Sequence, residues 1–287
     1  MRQIILGCGD VGRRVVDQLI QAGLSKNEIV GYVNSSMAKA QVLGIVVEKF
    51  DLDRSFHNLS VCDQAQCYYT IAPQKNGLID QRSRVLLKAF DAQDIQPNKV
   101  VLISTTGVYG DCGGEWVTEE SPAQPQTERG QRRLDSEQQW LAWGARNKID
   151  IVILRVPGIY AYSRLPRTRI DKAIPVVRAS ECGFTNRIHA DDLAHACIQA
   201  MQGGEGGEVY NITDGTPGKI SDYLQAAAQV LGAPTLAEIS MQEARSKLSS
   251  GMLSYLAESR KISNRKMLEK LSVNLRYPDF LEGIKHG

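Results

Sequence analysis

The chain has 287 residues, 43% of them hydrophobic and 23% charged, which is enough for one large globular domain or slightly more. Its 34 basic and 32 acidic residues leave a formal net charge of +2, so no electrostatic footprint calls for nucleic acid or an anionic membrane as partner. The six cysteines, Cys8, Cys62, Cys67, Cys112, Cys182 and Cys197, form no Cys-x-x-Cys pair and stand at no metal spacing with histidine, which argues for free thiols and against a metal site.

The chain runs from Met1-Arg2-Gln3 straight into a glycine motif, and no apolar stretch approaches the ~20 residues of a membrane span. A cytoplasmic protein is expected. Short aliphatic runs predict strands over residues 3–7, 29–33, 46–50, 66–71, 99–104 and 151–156. Amphipathic stretches between them predict helices over 11–22, 37–43, 78–92 and 128–147; in the third, Leu78, Val85, Leu86 and Ala89 recur at helical spacing. This alternation is the pattern of an α/β chain with a Rossmann-type, doubly wound parallel sheet.

After Pro157 the alternation loosens into Pro, Gly and Arg punctuation, and it resumes at His189. Helices are expected over 191–201, 220–231 and 241–249, with a strand over 208–212. Residues 1–156 are expected to form the dinucleotide-binding domain and 157–287 a smaller C-terminal substrate lobe, from which about 189–212 returns to the Rossmann sheet.

The first strand leads into Gly7-Cys8-Gly9-Asp10-Val11-Gly12, a G-x-G-x-x-G that opens an amphipathic helix. Gly7 suits the tight turn, Gly9 lets backbone approach a pyrophosphate, and Gly12 lets helix and strand pack closely. The helix start at Asp10 and Val11 then supplies free N–H groups and partial positive charge. The cofactor is expected to be NADP or NAD. No carboxylate ends the second strand; Asn34, Ser35 and Ser36 stand there instead, with Arg13 and Lys39 available to neutralise a phosphate, a set that leans to NADP. Asn34 could equally satisfy the hydroxyls of NAD.

Five ordered segments carry a family resemblance: the glycine motif, Phe50-Asp-Leu-Asp53, Ser104-Thr-Thr-Gly-Val-Tyr-Gly110, Leu154-Arg-Val-Pro-Gly-Ile-Tyr160 and Arg187-Ile-His-Ala-Asp-Asp-Leu193. Together they resemble the extended short-chain dehydrogenases, the NAD-dependent epimerase/dehydratase group, and Tyr277-Pro-Asp-Phe-Leu-Glu-Gly-Ile284 is similar to that family's C-terminal segment. The resemblance implies that Asp51 and Leu52 flank an adenine, that Ile71, Ala72 and Pro73 pass beneath ribose and pyrophosphate, and that Pro157 lies near a nicotinamide. Taken alone, an Asp in the run 51–53 reads as well as a helix cap.

Chemistry in that family rests on a Ser or Thr and on a Tyr-x-x-x-Lys pair, spaced by one helical turn so that the ammonium lowers the phenol's pKa. Thr105 matches the hydroxyl. Aligned on Thr127-Glu-Arg-Gly-Gln-Arg-Arg133, the other two positions are Arg129 and Arg133, and no tyrosine of the chain has lysine four residues on. Arginine cannot take over as base, since deprotonating a group of pKa above about 12 at pH 7 costs roughly 7 kcal/mol. The chain therefore resembles atypical members that keep the fold and the cofactor loop.

Tyr109 and Glu128 are the nearest candidates for a stand-in base, although this tyrosine also suits a structural place. Arg129 and Arg133 share a helix face, as a fork for an anion such as the phosphate of a sugar nucleotide or as a solvated basic face. Arg155, Arg187 and His189, with Arg164, Arg167 and Arg169 nearby, lie in a region that faces a small-molecule substrate in the family; His189 could instead cap the helix that begins beside it. Trp140 and Trp143 read as core, and helices 78–92 and 128–147 suit a homodimer contact by the same resemblance. Two functions follow: an atypical NAD(P)-binding oxidoreductase or isomerase on a small or nucleotide-linked carbohydrate, or a non-catalytic dinucleotide-binding sensor or partner module.

Overall fold

The computed structural model describes residues 1–34, 41, 43–53 and 58–287. Seven strands form the central sheet: β1 Gln3–Leu6, β2 Ile29–Val33, β3 Val46–Lys49, β4 Gln66–Tyr69, β5 Lys99–Thr105, β7 Asp150–Val156 and β11 Val209–Asn211, with β6 Trp116–Val117, β8 Gly158–Tyr160, β9 Val176–Val177 and β10 Arg187–His189 lying outside it. The order is β3-β2-β1-β4-β5-β7-β11 and every pairing is parallel. The chain leaves β1 toward one edge and crosses back at β4 to build the other, so the β1/β4 boundary is a topological switch point, where open α/β sheets bind ligands.

Alternate side chains of each strand enter opposite cores, as the two-residue period of a strand requires. Ile5, Val101 and Val152 pack with Val15, Val16 and Leu19 of α1, Asp10–Gln21, and with Leu193, Ala194 and Cys197 of α4, Ala190–Gly203. On the other face Ile4, Leu6 and Leu102 meet Leu86 and Phe90 of α2, Gln81–Ala92, and Trp140 and Trp143 of α3, Glu128–Asn147. The indole N–H groups are satisfied inside: Trp140 donates to Ser83 Oγ at 3.0 Å and Trp143 to Asp91 Oδ1 at 2.7 Å. Both faces are covered, which is why β1 and β2 read as unbroken apolar runs.

The helix expected over 78–92 begins only at Gln81. Asp80 caps it, accepting from the N–H groups of Arg82 and Ser83 at 3.1 and 3.3 Å, and Leu78 is left outside the helix, 54% exposed. Most of the helix expected over 37–43 lies outside the described residues. The remaining lobe adds α5, Ile220–Val230, and three two-stranded pairs: β8 with β10, β9 with β12 (Glu238–Ile239) and β6 with β13 (Lys261–Ile262). Strands of two or three residues carry no periodicity, so only tertiary pairing reveals them. Among the described residues no helix is long and apolar enough to cross a membrane.

Candidate functional site

The turn after β1 is shaped by what each glycine excludes. Gly7 sits at φ +102°, and a Cβ there would lie 2.6 Å from Thr70 Oγ1; a Cβ on Gly12 would lie 2.8 Å from Gly7 O and from Ile5 Cγ2. Gly9 differs, because its Cβ would meet nothing nearer than Gly7 O at 3.8 Å, so the space in front of it is open. Helix α1 starts there with no side-chain cap, leaving the N–H groups of its first turn for a ligand. The Asp10 carboxylate turns instead to Arg164 at 2.6 Å and Arg14 at 3.4 Å; burial works against its ionised form, but these guanidiniums hold it below the usual carboxylate value.

A cleft of about 230 Å³ opens beside Gly7, Cys8 and Gly9, walled by Tyr32, Val33, Asn34, Phe50, Leu52 and Ile71, with Arg82 at its rim. It joins five of the residues expected at the cofactor: Gly7, Gly9, Asn34, Leu52 and Ile71. Gly12 packs behind the turn, and Val11 packs on the core. Asp51 Oδ1 accepts from the Asp53 N–H at 3.0 Å, a local turn bond, and Asp53 takes Arg82 in a two-pronged pair whose Nε–Oδ1 arm is 2.8 Å. Arg82 also donates to Ala72 O at 2.9 Å, which ties that backbone to the cleft; Pro73 follows, half-buried. Ser35, Ser36 and Lys39 lie outside the described residues.

A second cavity, about 280 Å³, lies past the C-terminal ends of β5 and β7. Thr105, Arg129, Arg133 and Pro157 line it together, as do Phe184, Thr185, Asn186, Tyr255, Glu258 and Arg260. Gly130 brings α3 to this place: it lies so close to Gly107 O and Pro125 that a Cβ would fall 2.8 Å from each. Thr127 caps the helix, accepting from Gly130 N–H at 3.2 Å. Arg133 Nη1 donates to Ile103 O at 3.0 Å and to Ile71 O at 3.4 Å, and since Ile71 walls the first cleft, this residue links the two spaces. Burial lowers the Arg133 pKa, against Tyr69, Asp80 and Glu137, which favour its charge. Thr105 Oγ1 accepts from Gly107 N–H at 3.2 Å, so its own proton is free to donate elsewhere.

Four more of the expected site residues, Arg155, Tyr109, Arg187 and His189, are buried and engaged within the protein. Arg155 is 7% exposed and grips Glu137 with Nε and Nη2 at 3.2 and 2.7 Å, while Ser104 donates to the same carboxylate. Tyr109 is stacked under that guanidinium, 4.8 Å from its ring centre, donates to Asn211 Oδ1 at 2.9 Å and does not line the cavity of Thr105. Arg187, also buried, donates to Thr185 Oγ1 and Lys219 O and lies over the Tyr223 and Phe280 rings. His189 caps α4: its Nδ1 accepts from Asp191 N–H at 3.1 Å, which leaves Nε2–H to donate to His286 O at 3.1 Å. Burial keeps this imidazole below the ordinary histidine value, in keeping with a neutral cap. Arg164, Arg167 and Arg169 are held by Asp10, the Tyr162 ring and Pro175 O.

Sequence reasoning missed Phe184, Thr185, Asn186, Tyr255, Glu258 and Arg260. Thr185 and Asn186 stand two and one residues before the Arg187 motif, which is the one signal that could have found them. Tyr255, Glu258 and Arg260 had none, because β13 must pair with β6 before they reach Thr105. Among the described residues no group of three His, Cys, Asp or Glu side chains could hold a metal ion.

With this geometry, a model of the NAD dependent epimerase/dehydratase family matches residues 80–213. Over that stretch, just under half of its length, the chain is similar to the epimerase/dehydratase family. The matched stretch contains Thr105, Arg129 and Arg133, while the glycine turn lies ahead of it. The chain is similar to dTDP-D-glucose 4,6-dehydratase of Mus musculus, 28% identical over 138 residues, covering 45% of this chain and 38% of that protein. It is similar also to dTDP-glucose 4,6-dehydratase of Streptomyces niveus, 29% identical over 162 residues, covering 52% and 45%. The chain thus spans less than half the length of the curated relatives it matches. Among solved structures, a functionally unknown conserved protein from Silicibacter pomeroyi superposes with a TM-score of 0.83 at 26% identity, over 99% of this chain and 96% of that one. UDP-glucuronic acid 4-epimerase from Bacillus cereus, solved with NAD, does so with a TM-score of 0.77 at 18% identity over the same shares, a likeness of fold.

Proposed function

We propose that this chain is an NAD(P)-dependent enzyme of epimerase/dehydratase type that acts on a carbohydrate without a Tyr-x-x-x-Lys pair. One observation carries the reading: the glycine-turn cleft and the cavity of Thr105 meet at Ile71 and Arg133. The cleft fits a dinucleotide, since the open space before Gly9 and the uncapped start of α1 suit two linked phosphates, and Phe50 and Leu52 offer apolar walls to an adenine. Pro157 would lie by the nicotinamide, which when bound supplies a hydride acceptor.

Among the described residues the cation at the cleft is Arg82, already engaged by Asp53 and Ala72 O. That favours NAD over the NADP to which Asn34 and its neighbours had leaned. The NAD present in the Bacillus cereus epimerase structure supports the same choice. In the second cavity Thr105 would donate its hydroxyl proton to a substrate oxygen, and the Arg133 donors not used by Ile71 and Ile103 would hold ribose or substrate. A cytoplasmic setting belongs to the same proposal.

The missing base supports a second reading, a dinucleotide sensor without turnover. Mixing the protein with NAD and a panel of nucleotide-linked and simple carbohydrates, and following both the absorbance of reduced nicotinamide and the conversion of the sugar by NMR, separates the two, because an epimerase or dehydratase returns the hydride to its substrate. Conversion of at least one sugar, slowed roughly 10²-fold by Thr105→Val, is expected of the enzyme. Calorimetric NAD binding with neither reduction nor conversion across the panel would leave the sensor.

A further inference from the structure

The charge of the second cavity is unevenly compensated. Arg260 Nη1 donates to Glu258 Oε2 at 2.7 Å and to Gly110 O, so these two side chains neutralise each other. Arg129, exposed on α3, makes no hydrogen bond or ion pair among the described residues, and Arg133 bonds only to carbonyls, through Nη1 alone. The cavity therefore keeps two guanidiniums with no ion-pair contact among the described residues, one helical turn apart on one face. Opposite them Glu258, 8% exposed, has an Oε1 with no hydrogen-bond partner, an unmet acceptor that is costly to leave buried.

Place and size narrow the ligand further. The uncompensated pair stands at the Thr105 end, beside Pro157, where the reacting part of a substrate would lie. At about 280 Å³ the cavity is at the lower edge of ligand pockets, roughly 300–1,000 Å³, which suits a monosaccharide better than a sugar carrying a nucleoside diphosphate. We propose that this cavity binds a compact anionic sugar, a monosaccharide bearing one phosphoryl or carboxylate group, with the anion between Arg129 and Arg133 and a hydroxyl donated to Glu258. The inference rests on the enzyme reading above, whose substrate class it names.

Isothermal titration calorimetry on the full chain, with and without saturating NAD, tests it with glucose 6-phosphate, glucuronate, glucose and UDP-glucose. At least one of the two compact anions should bind about tenfold or more tightly than both glucose and UDP-glucose, and comparing the two tells phosphoryl from carboxylate. Arg129→Gln should weaken that anion by about tenfold, and since the side chain is exposed and unpaired the variant should fold as the parent does. Glu258→Gln should weaken glucose 6-phosphate relative to inorganic phosphate, because the sugar loses its hydroxyl acceptor while both anions gain equally from the freed charge of Arg260. Tightest binding of UDP-glucose, or compact anions no tighter than glucose, overturns the proposal. Anion binding without any NAD binding would sink the enzyme reading and leave the cavity assignment standing; NAD binding with no anion binding does the reverse.

Discussion

Arginine side chains in this protein divide by whether a carboxylate reaches them. Arg155 finds Glu137 inside the sheet and Arg14 finds Asp191 across α1 and α4, whereas among the described residues Arg129 and Arg133 have no carboxylate at ion-pair distance. Removing one partner of a buried pair such as Arg155–Glu137 is far costlier than losing an exposed one, because a desolvated charge is left alone. Asp214 is the opposite case: 4% exposed, it accepts from Thr216 N–H with Oδ1 while Oδ2 has no partner, and burial pushes its carboxyl up to about 7. Its folded value is raised, so the native state holds the proton more tightly, and the stability this contributes is present at low pH and lost as pH rises from about 4 through 7. Asp214→Asn should therefore gain on the parent protein as pH rises from 5 to 8, by about 2.5 kcal/mol, in urea unfolding at each pH. An unchanged difference across that range would mean that the carboxyl is not titrating there.

At the scale of elements, the glycine turn combines two kinds of requirement, one for packing and one for a ligand. Gly12→Ala should cost roughly 1–3 kcal/mol, since its Cβ would press on Gly7 O and Ile5. Gly9→Ala should shift the unfolding midpoint little and yet weaken NAD binding about tenfold or more, as its Cβ would stand in the space reserved for phosphate. Equal loss of stability in both variants would make Gly9 a packing glycine too. The six early strands were legible because their aliphatic runs are local and, apart from the exposed edge strand β3, mostly buried, and α3 matched its expected bounds at both ends. Leu78 misled the reading of α2, because periodicity continued past the point where Asp80 offered the backbone a cap.

The second cavity exists only in the whole molecule. Its floor is the turn after β5, one wall is the start of α3, and its far wall is residues 255–260, held by the pairing of β13 with β6. Ile262 anchors that pairing from the core, fully buried beside Val108, Tyr109 and Val117. Ile262→Ala should cost about 2–5 kcal/mol and, in the fraction that stays folded, weaken sugar binding more than NAD binding, as paired calorimetric titrations would report. Loss of both affinities to the same degree would mean that the two spaces do not depend on different parts of the chain.

The amino-acid sequence alone determined the doubly wound sheet, the dinucleotide turn and the lack of a Tyr-x-x-x-Lys pair. Each of these rests on short-range spacing, and spacing survives being read one residue at a time. Which arginines remain free for a ligand was decided by tertiary structure: Arg155, Arg187 and Arg132 are taken up by Glu137, by Thr185 and Lys219 O, and by Gly77 O, while Arg260 arrives from far along the chain. A charge is compensated by whatever folding brings beside it, and local sequence carries no record of that neighbour.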